Sequence, residues 1–189
     1  RRVLFRSIRL CQDGRVHRNA LDLIDVEADV ADYDLQGDDP RNVEVAEIRE
    51  VWFDNRQLLP RTAAQLASEF DRAWPTRRGS VHFYLARRPD VLTLVGIPDA
   101  ALAAGLRVEV VFTPTREARG VDDWVFEQYA GSIATGAKAL LLAMPHKPWT
   151  DLQTAAIAAA SFQNTIDEEA FQVARNFTRA RRRTAAHFM

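Results

Sequence analysis

Cysteine is almost missing from this sequence: 189 residues contain one, Cys11. That excludes an intramolecular disulfide and any metal cage built from thiolates, and it fits a chain made for a reducing cytoplasm. Cys11 itself reads as a small buried hydrophobe. No apolar run approaches the roughly 20 residues that a membrane-spanning helix needs. The stretch ALLLAM is far too short, and Lys138 stands just before it. Histidine is also scarce. His17, His82, His146 and His187 are scattered, and none has a second histidine or a carboxylate at ligand spacing, so no metal site is expected. No internal repeat, low-complexity linker or signal peptide is visible. The chain opens on Arg1, inside the helical pattern RRVLFRSIRL, and the expectation is that residues precede it.

What is present is an ordinary mixture, 47% hydrophobic and 27% charged residues, enough for one well-buried core or two small lobes. The net charge of -1 hides an asymmetry. The stretch LDLIDVEADVADYDLQGDD is almost purely acidic, whereas everything after Glu169 carries arginines and no carboxylate. Unlike ends of this kind suit head-to-tail association with copies or partners.

Val3, Leu4, Ile8 and Cys11 recur at three- and four-residue spacing, which predicts an amphipathic helix ending near Asp13-Gly14. The period then changes. LDLIDVEADVADYDL alternates apolar and acidic residues as a half-buried strand pair would, and VEVAEIREVWF and RQLLP read as strands joined at Asp54-Asn55. TAAQLASEFDRAW predicts a short helix with Thr62 as N-cap and Leu66, Phe70 and Trp74 on one face. SVHFYLA, VLTLVGI and LRVEVVFTP are three more strands.

The last third is helical again. VDDWVFEQYAGSIATGAKALLLAM predicts one long helix with Asp122 and Asp123 in its first turn, and PHKPW breaks it. Thr150 is the expected cap of a second helix, whose seam is Leu152, Ala155, Ala159, Phe162, Ile166, Ala170, Val173 and Phe177. Gly131, Ser132, Gly136 and Ala137 would let a partner helix approach closely. The predicted helix-packing core is Tyr129, Leu141, Trp149, Leu152, Phe162 and Ile166.

The order of elements predicts an α+β protein. An N-terminal helix and a C-terminal helix pair (1–18 and 119–174) form a helical bundle, an antiparallel β module (19–118) is inserted between them, and an extended C-terminal tail (175–189) follows.

Catalytic signatures are weak. GSIATGAK falls short of a phosphate-binding loop, because Ala137 takes the lysine position, Ala139 replaces the hydroxyl, and the stretch lies inside a helical period. Ser80 and His82 share a strand face but lack a nucleophile turn and a third partner. The acidic groups Asp38-Asp39 and Asp167-Glu168-Glu169 read as solvated. The expectation is no enzyme, no catalytic or metal residues and no cofactor.

At the helix pair the sequence resembles a known family. A strand ending Phe112-Thr113-Pro114 leads to a helix with Tyr129, Gly136, Ala137, Leu141 and Leu142. Met144-Pro145 and Lys147-Pro148-Trp149 follow, then a final helix with Phe162 and Ile166 and a basic tail. This pattern resembles the adaptor, or head-to-tail connector, proteins of short-tailed double-stranded-DNA bacteriophages, similar to the tail tubular proteins of T7-like phages. EIREVWFDNRQLLPRTAAQL and FYLARRPDVLTLVGIP also look like that family's β module, so the resemblance spans about residues 43 to 189.

The resemblance implies a structural virion protein, assembled in the host cytoplasm and located at the portal vertex. Copies would form a ring, typically of twelve, joining the portal protein to the tail nozzle protein and lining the channel, with transient contact to double-stranded DNA and none to membrane. Arg175, Phe177, Arg179, Arg181, Arg182, Arg183, His187 and Phe188 would then be a portal-docking tail, with the arginines pairing with carboxylates and Phe177 and Phe188 as anchors. The rival reading is a nucleic-acid-binding protein in which the same arginines neutralise phosphates. Against it stand a pI near 6.5 and the lack of a recognition-helix or RNA-binding motif.

Overall fold

The computed structural model describes residues 2–174. The chain is α+β, with four α-helices and antiparallel sheets among the described residues, and divides into two units. One takes the described residues up to Val16 and from Gly120 onward, and the other is His17–Arg119. The first boundary falls two residues earlier than the sequence suggests, because His17 and Arg18 are already in the sheet. The His17 carbonyl accepts from Phe112 N at 2.8 Å, and Arg18 pairs with Val111.

In the helical unit, α1 (Arg2–Gly14) packs on α3 (Asp123–Leu142) and α4 (Leu152–Ala174). Its buried residues are Ser7, Leu10, Cys11 and Gly14, while Val3, predicted for the buried face, is exposed. Leu10, Cys11 and Val16 meet Val125, Tyr129, Ile133, Phe162 and Ile166 in one apolar cluster. Polar bonds fix the docking of α1: Arg6 Nε donates to the Gly136 carbonyl at 3.1 Å, and Arg9 donates to Gln163 at 2.6 Å. The Arg6 guanidinium also lies 5.2 Å from the centre of the Phe162 ring.

Asp122 caps α3, accepting from Trp124 N. The cap of α4 is a correction to the sequence reading. Asp151, not Thr150, accepts from the backbone N–H of Thr154 and from its hydroxyl, and these bonds hold the Asp151 carboxyl below its ordinary range. The Thr150 hydroxyl instead donates to the Met144 carbonyl and accepts from Lys147 N, which folds the PHKPW connection on itself around His146 at φ 56°.

The β unit holds two sheets. β1 (Arg18–Ala20), β2 (Ile24–Val26), β4 (Val43–Phe53) and β5 (Arg56–Gln57) form the first with β9 (Leu102–Pro114), on which β1, β2 and β4 all pair antiparallel. Asp54 and Asn55 turn β4 into β5, both at positive φ (48° and 60°), the geometry of a tight hairpin turn. The second sheet runs β3 (Asp32–Asp34), β8 (Val91–Val95), β7 (Phe83–Arg88) and β6 (Leu59–Pro60), with the last pair parallel.

The acidic stretch is therefore not a hairpin. β2 joins β9 and β3 joins β8, because the chain turns between them at Asp29, φ 64°, whose N–H bonds to the Pro98 carbonyl. Alternation then fills two cores. Tyr84 and Leu94 face Val51, Leu106, Val108 and Val110 between the sheets. Their neighbours Leu85 and Val95 face outward, where α2 (Ala63–Phe70) and a 3-10 turn at Trp74–Thr76 cover them with Leu66 and Trp74. Thr62 caps α2 reciprocally with Gln65.

Candidate functional site

The predicted docking tail, Arg175, Phe177, Arg179, Arg181, Arg182, Arg183, His187 and Phe188, lies outside the described residues. Of the six predicted core residues, Tyr129, Phe162 and Ile166 are buried. Leu141, Trp149 and Leu152 are 43%, 51% and 68% exposed, a correction. The seam on α4 runs through Ala155, Ala158, Phe162, Ile166 and Val173, and Ala159 is exposed. Gly136 does serve close packing: a Cβ there would stand 2.9 Å from the Phe162 ring. Gly131 does not, with nothing within 4 Å of the same position.

Leu141, Trp149 and Leu152 belong to a wider pattern. Among the described residues twelve large hydrophobic side chains are exposed, and all but Leu23 and Leu59 lie in the helical unit. On α4, Ile157 and Phe171 sit about 140° and 180° around the axis from Phe162, at 3.6 residues per turn. They are 65% and 54% exposed, two large apolar side chains on the side of α4 opposite its buried seam, among the polar Gln153, Asn164 and Asp167.

The helical core also holds a polar centre. The Tyr129 hydroxyl donates to Glu169 Oε2 at 2.9 Å. Burial raises the Tyr129 pKa, helped by that bond and by the carboxylate's charge. Burial likewise pushes the Cys11 thiol up to about 12, helped by the negative charge of Asp122. A thiol held neutral and enclosed is inert, which fits a packing role.

The β unit presents arginines on aromatic rings. Phe70 of α2 and Phe83 of β7 pair at 5.7 Å between centroids. Arg61 lies 4.7 Å from the Phe83 centroid and Arg77 4.7 Å from that of Phe70, so a guanidinium flanks each ring. A groove of about 440 Å3 opens along Glu47, Arg61, Gln65, Tyr84 and Arg88. Nearby, Arg49 Nε is buried without a hydrogen-bond partner, while Nη1 of the same side chain meets Glu47 at 3.2 Å.

Ser80 and His82, paired by alternation in the sequence, both line a second cavity of about 270 Å3 with Arg77, Arg78 and Phe70. No carboxylate lines that cavity to orient the imidazole. This arginine and aromatic cluster is legible only in three dimensions, because it joins a helix to a strand that share no periodic pattern.

No protein-family model matches the sequence, and no curated protein does. Among the described residues no group of His, Cys, Asp or Glu could hold a metal ion, and no helix is long and apolar enough to cross a membrane.

Proposed function

We propose that the chain is a subunit of a connector ring in a short-tailed bacteriophage, joining the portal to the tail nozzle and lining the DNA channel. The observation that carries this reading is the concentration of exposed apolar side chains on the helical unit, among them Phe5, Trp124, Phe126, Trp149, Ile157 and Phe171. So much exposed apolar surface is unfavourable in a solitary chain and ordinary in a subunit whose neighbours cover it. The pattern from Phe112 to Ile166 that resembles the connector family supports the same reading.

In this reading α1, α3 and α4 are a helical bundle into which the β unit is inserted, and residues 175–189 are an arm that docks on the portal. Neighbouring copies meet through unlike faces, as a ring requires, and twelve is the expected number. The protein acts by assembly, without catalysis, metal or cofactor, and resides at the portal vertex of the virion.

The test mixes the purified protein with its cognate portal ring, with and without residues 175–189, and weighs the products by native mass spectrometry. The expected result is a fixed number of intact copies per ring and none of the truncated form. If neither form binds portal and only the intact chain retains DNA, the rival reading, a nucleic-acid-binding protein gripping through its arginines, replaces this one.

A further inference from the structure

We propose that the β unit carries a binding site for a phosphate monoester, in the cavity bounded by Phe70, Arg77, Arg78, Ser80, His82 and Phe83. The inference is independent of the assembly reading.

Its first support is the set of donors. The Arg77 guanidinium lies 4.7 Å from the centre of the Phe70 ring, a contact that takes up none of its N–H donors in a hydrogen bond to a carboxylate. No carboxylate pairs with Arg77 among the described residues, and neither the Ser80 hydroxyl nor the His82 imidazole has a hydrogen-bond partner among them. Arg78 does have one, Asp29 at 2.6 Å, but both side chains are more than half exposed, and Asp29 is not part of the lining. With no carboxylate on its wall, the cavity keeps a positive balance. A phosphate group, with several oxygens and up to two negative charges, matches a guanidinium fork with a hydroxyl and an imidazole beside it.

The second support is the frame. Ile97 N donates to the Arg77 carbonyl at 2.8 Å and Gly79 N to the Ile97 carbonyl at 3.1 Å, so residues 77–79 are strapped to the segment after β8. Gly96, at φ 96°, lets that segment pass, since a Cβ there would stand 2.6 Å from the Ser80 carbonyl oxygen. The donors therefore stand on held backbone, which lowers the ordering cost of binding.

The third support is size. A cavity of about 270 Å3 exceeds a bare phosphate, and two phenyl rings form part of its wall. A phosphate monoester whose alcohol carries a flat ring, as a nucleotide carries its base on the ribose, fills both parts, with the ring against the phenyl groups.

The experiment is an NMR titration of the full chain with inorganic phosphate, adenosine 5′-monophosphate and, at matched ionic strength, acetate. Saturable shifts of the Arg77 and His82 side-chain resonances with both phosphates and not with acetate are expected. Tighter binding of the nucleotide, by about tenfold, assigns the flat ring to the phenyl wall, and equal binding assigns the site to the phosphate group alone.

Arg77→Ala and Ser80→Ala should each weaken binding at least fivefold, whereas Arg56→Ala, on β5 away from the cavity, should leave it unchanged. Shifts that do not saturate, equal shifts with acetate, or an equal loss in Arg56→Ala would overturn the site as mere attraction to a cationic surface.

Discussion

The Tyr129 hydroxyl stands 2.9 Å from Glu169 Oε2, one hydrogen bond joining the middle of α3 to the last third of α4 beside the buried Cys11. Tyrosine and cysteine are neutral when protonated, and the fold raises both pKa values from their ordinary 10.0 and 9.0. Stability is thus complete below the unfolded-state values. It falls as the pH climbs from about 9 toward the folded values, because the unfolded chain releases protons that the folded one retains. Thermal melts between pH 7 and 11 should show this loss. Tyr129→Phe should reduce it to the part that Cys11 contributes, while costing about 1 kcal/mol at pH 7, the worth of one hydrogen bond. An unchanged alkaline slope would remove Tyr129 from the account.

The Cys11 thiol, fully buried with its pKa near 12, should resist alkylation at pH 8 in the native protein and react at once in denaturant. Rapid native labelling would contradict the packing of α1.

Phe162 is 1% exposed among residues of all three long helices. Phe162→Ala should cost roughly 3–5 kcal/mol in urea denaturation.

Two glycines on one helix separate propensity from packing. Gly131→Ala meets open space and should stabilise α3 by about 0.5–1 kcal/mol. Gly136→Ala drives a Cβ to within 2.9 Å of the Phe162 ring and 3.1 Å of Arg6 Cδ, so overpacking of about 1–3 kcal/mol should outweigh the same gain. Equal effects at the two positions would show that the ring and Arg6 yield freely.

If the exposed helical face is an assembly surface, Ile157→Glu with Phe171→Glu should leave the melting temperature within a few degrees and abolish higher oligomers in sedimentation velocity. Loss of the fold would mean that these side chains, 65% and 54% exposed, carry packing after all.

The elements were readable wherever one residue type dictates one geometry. Thr62 before Gln65 specifies a capping box, and Asp54-Asn55 a tight hairpin turn. Long-range choices were not readable. α4 is alanine-rich with apolar residues on opposite faces, so Leu152 and Ala159 fit a helical period as well as Ala158 does, and only packing on α1 and α3 selects the seam. Thr150 and Asp151 are both good caps, and the path of the connection gives one to each end of it. The acidic strands looked like a pair because alternation marks a strand and not its partner. The clustering of Arg77, Ser80 and His82 with Phe70 depends on α2 lying across β7 and β8, which no local pattern encodes.

β9 is the shared partner of β1, β2 and β4, and α1 packs on α3 and α4. On the ribosome these pairings impose a schedule. The first sheet cannot close until Pro114 has left the exit tunnel, after which residues 17–119 have every strand they need. Of the described helices α1 waits longest for its partners, with the buried faces of Leu10 and Cys11 open to solvent or to a chaperone until α4 has been synthesised.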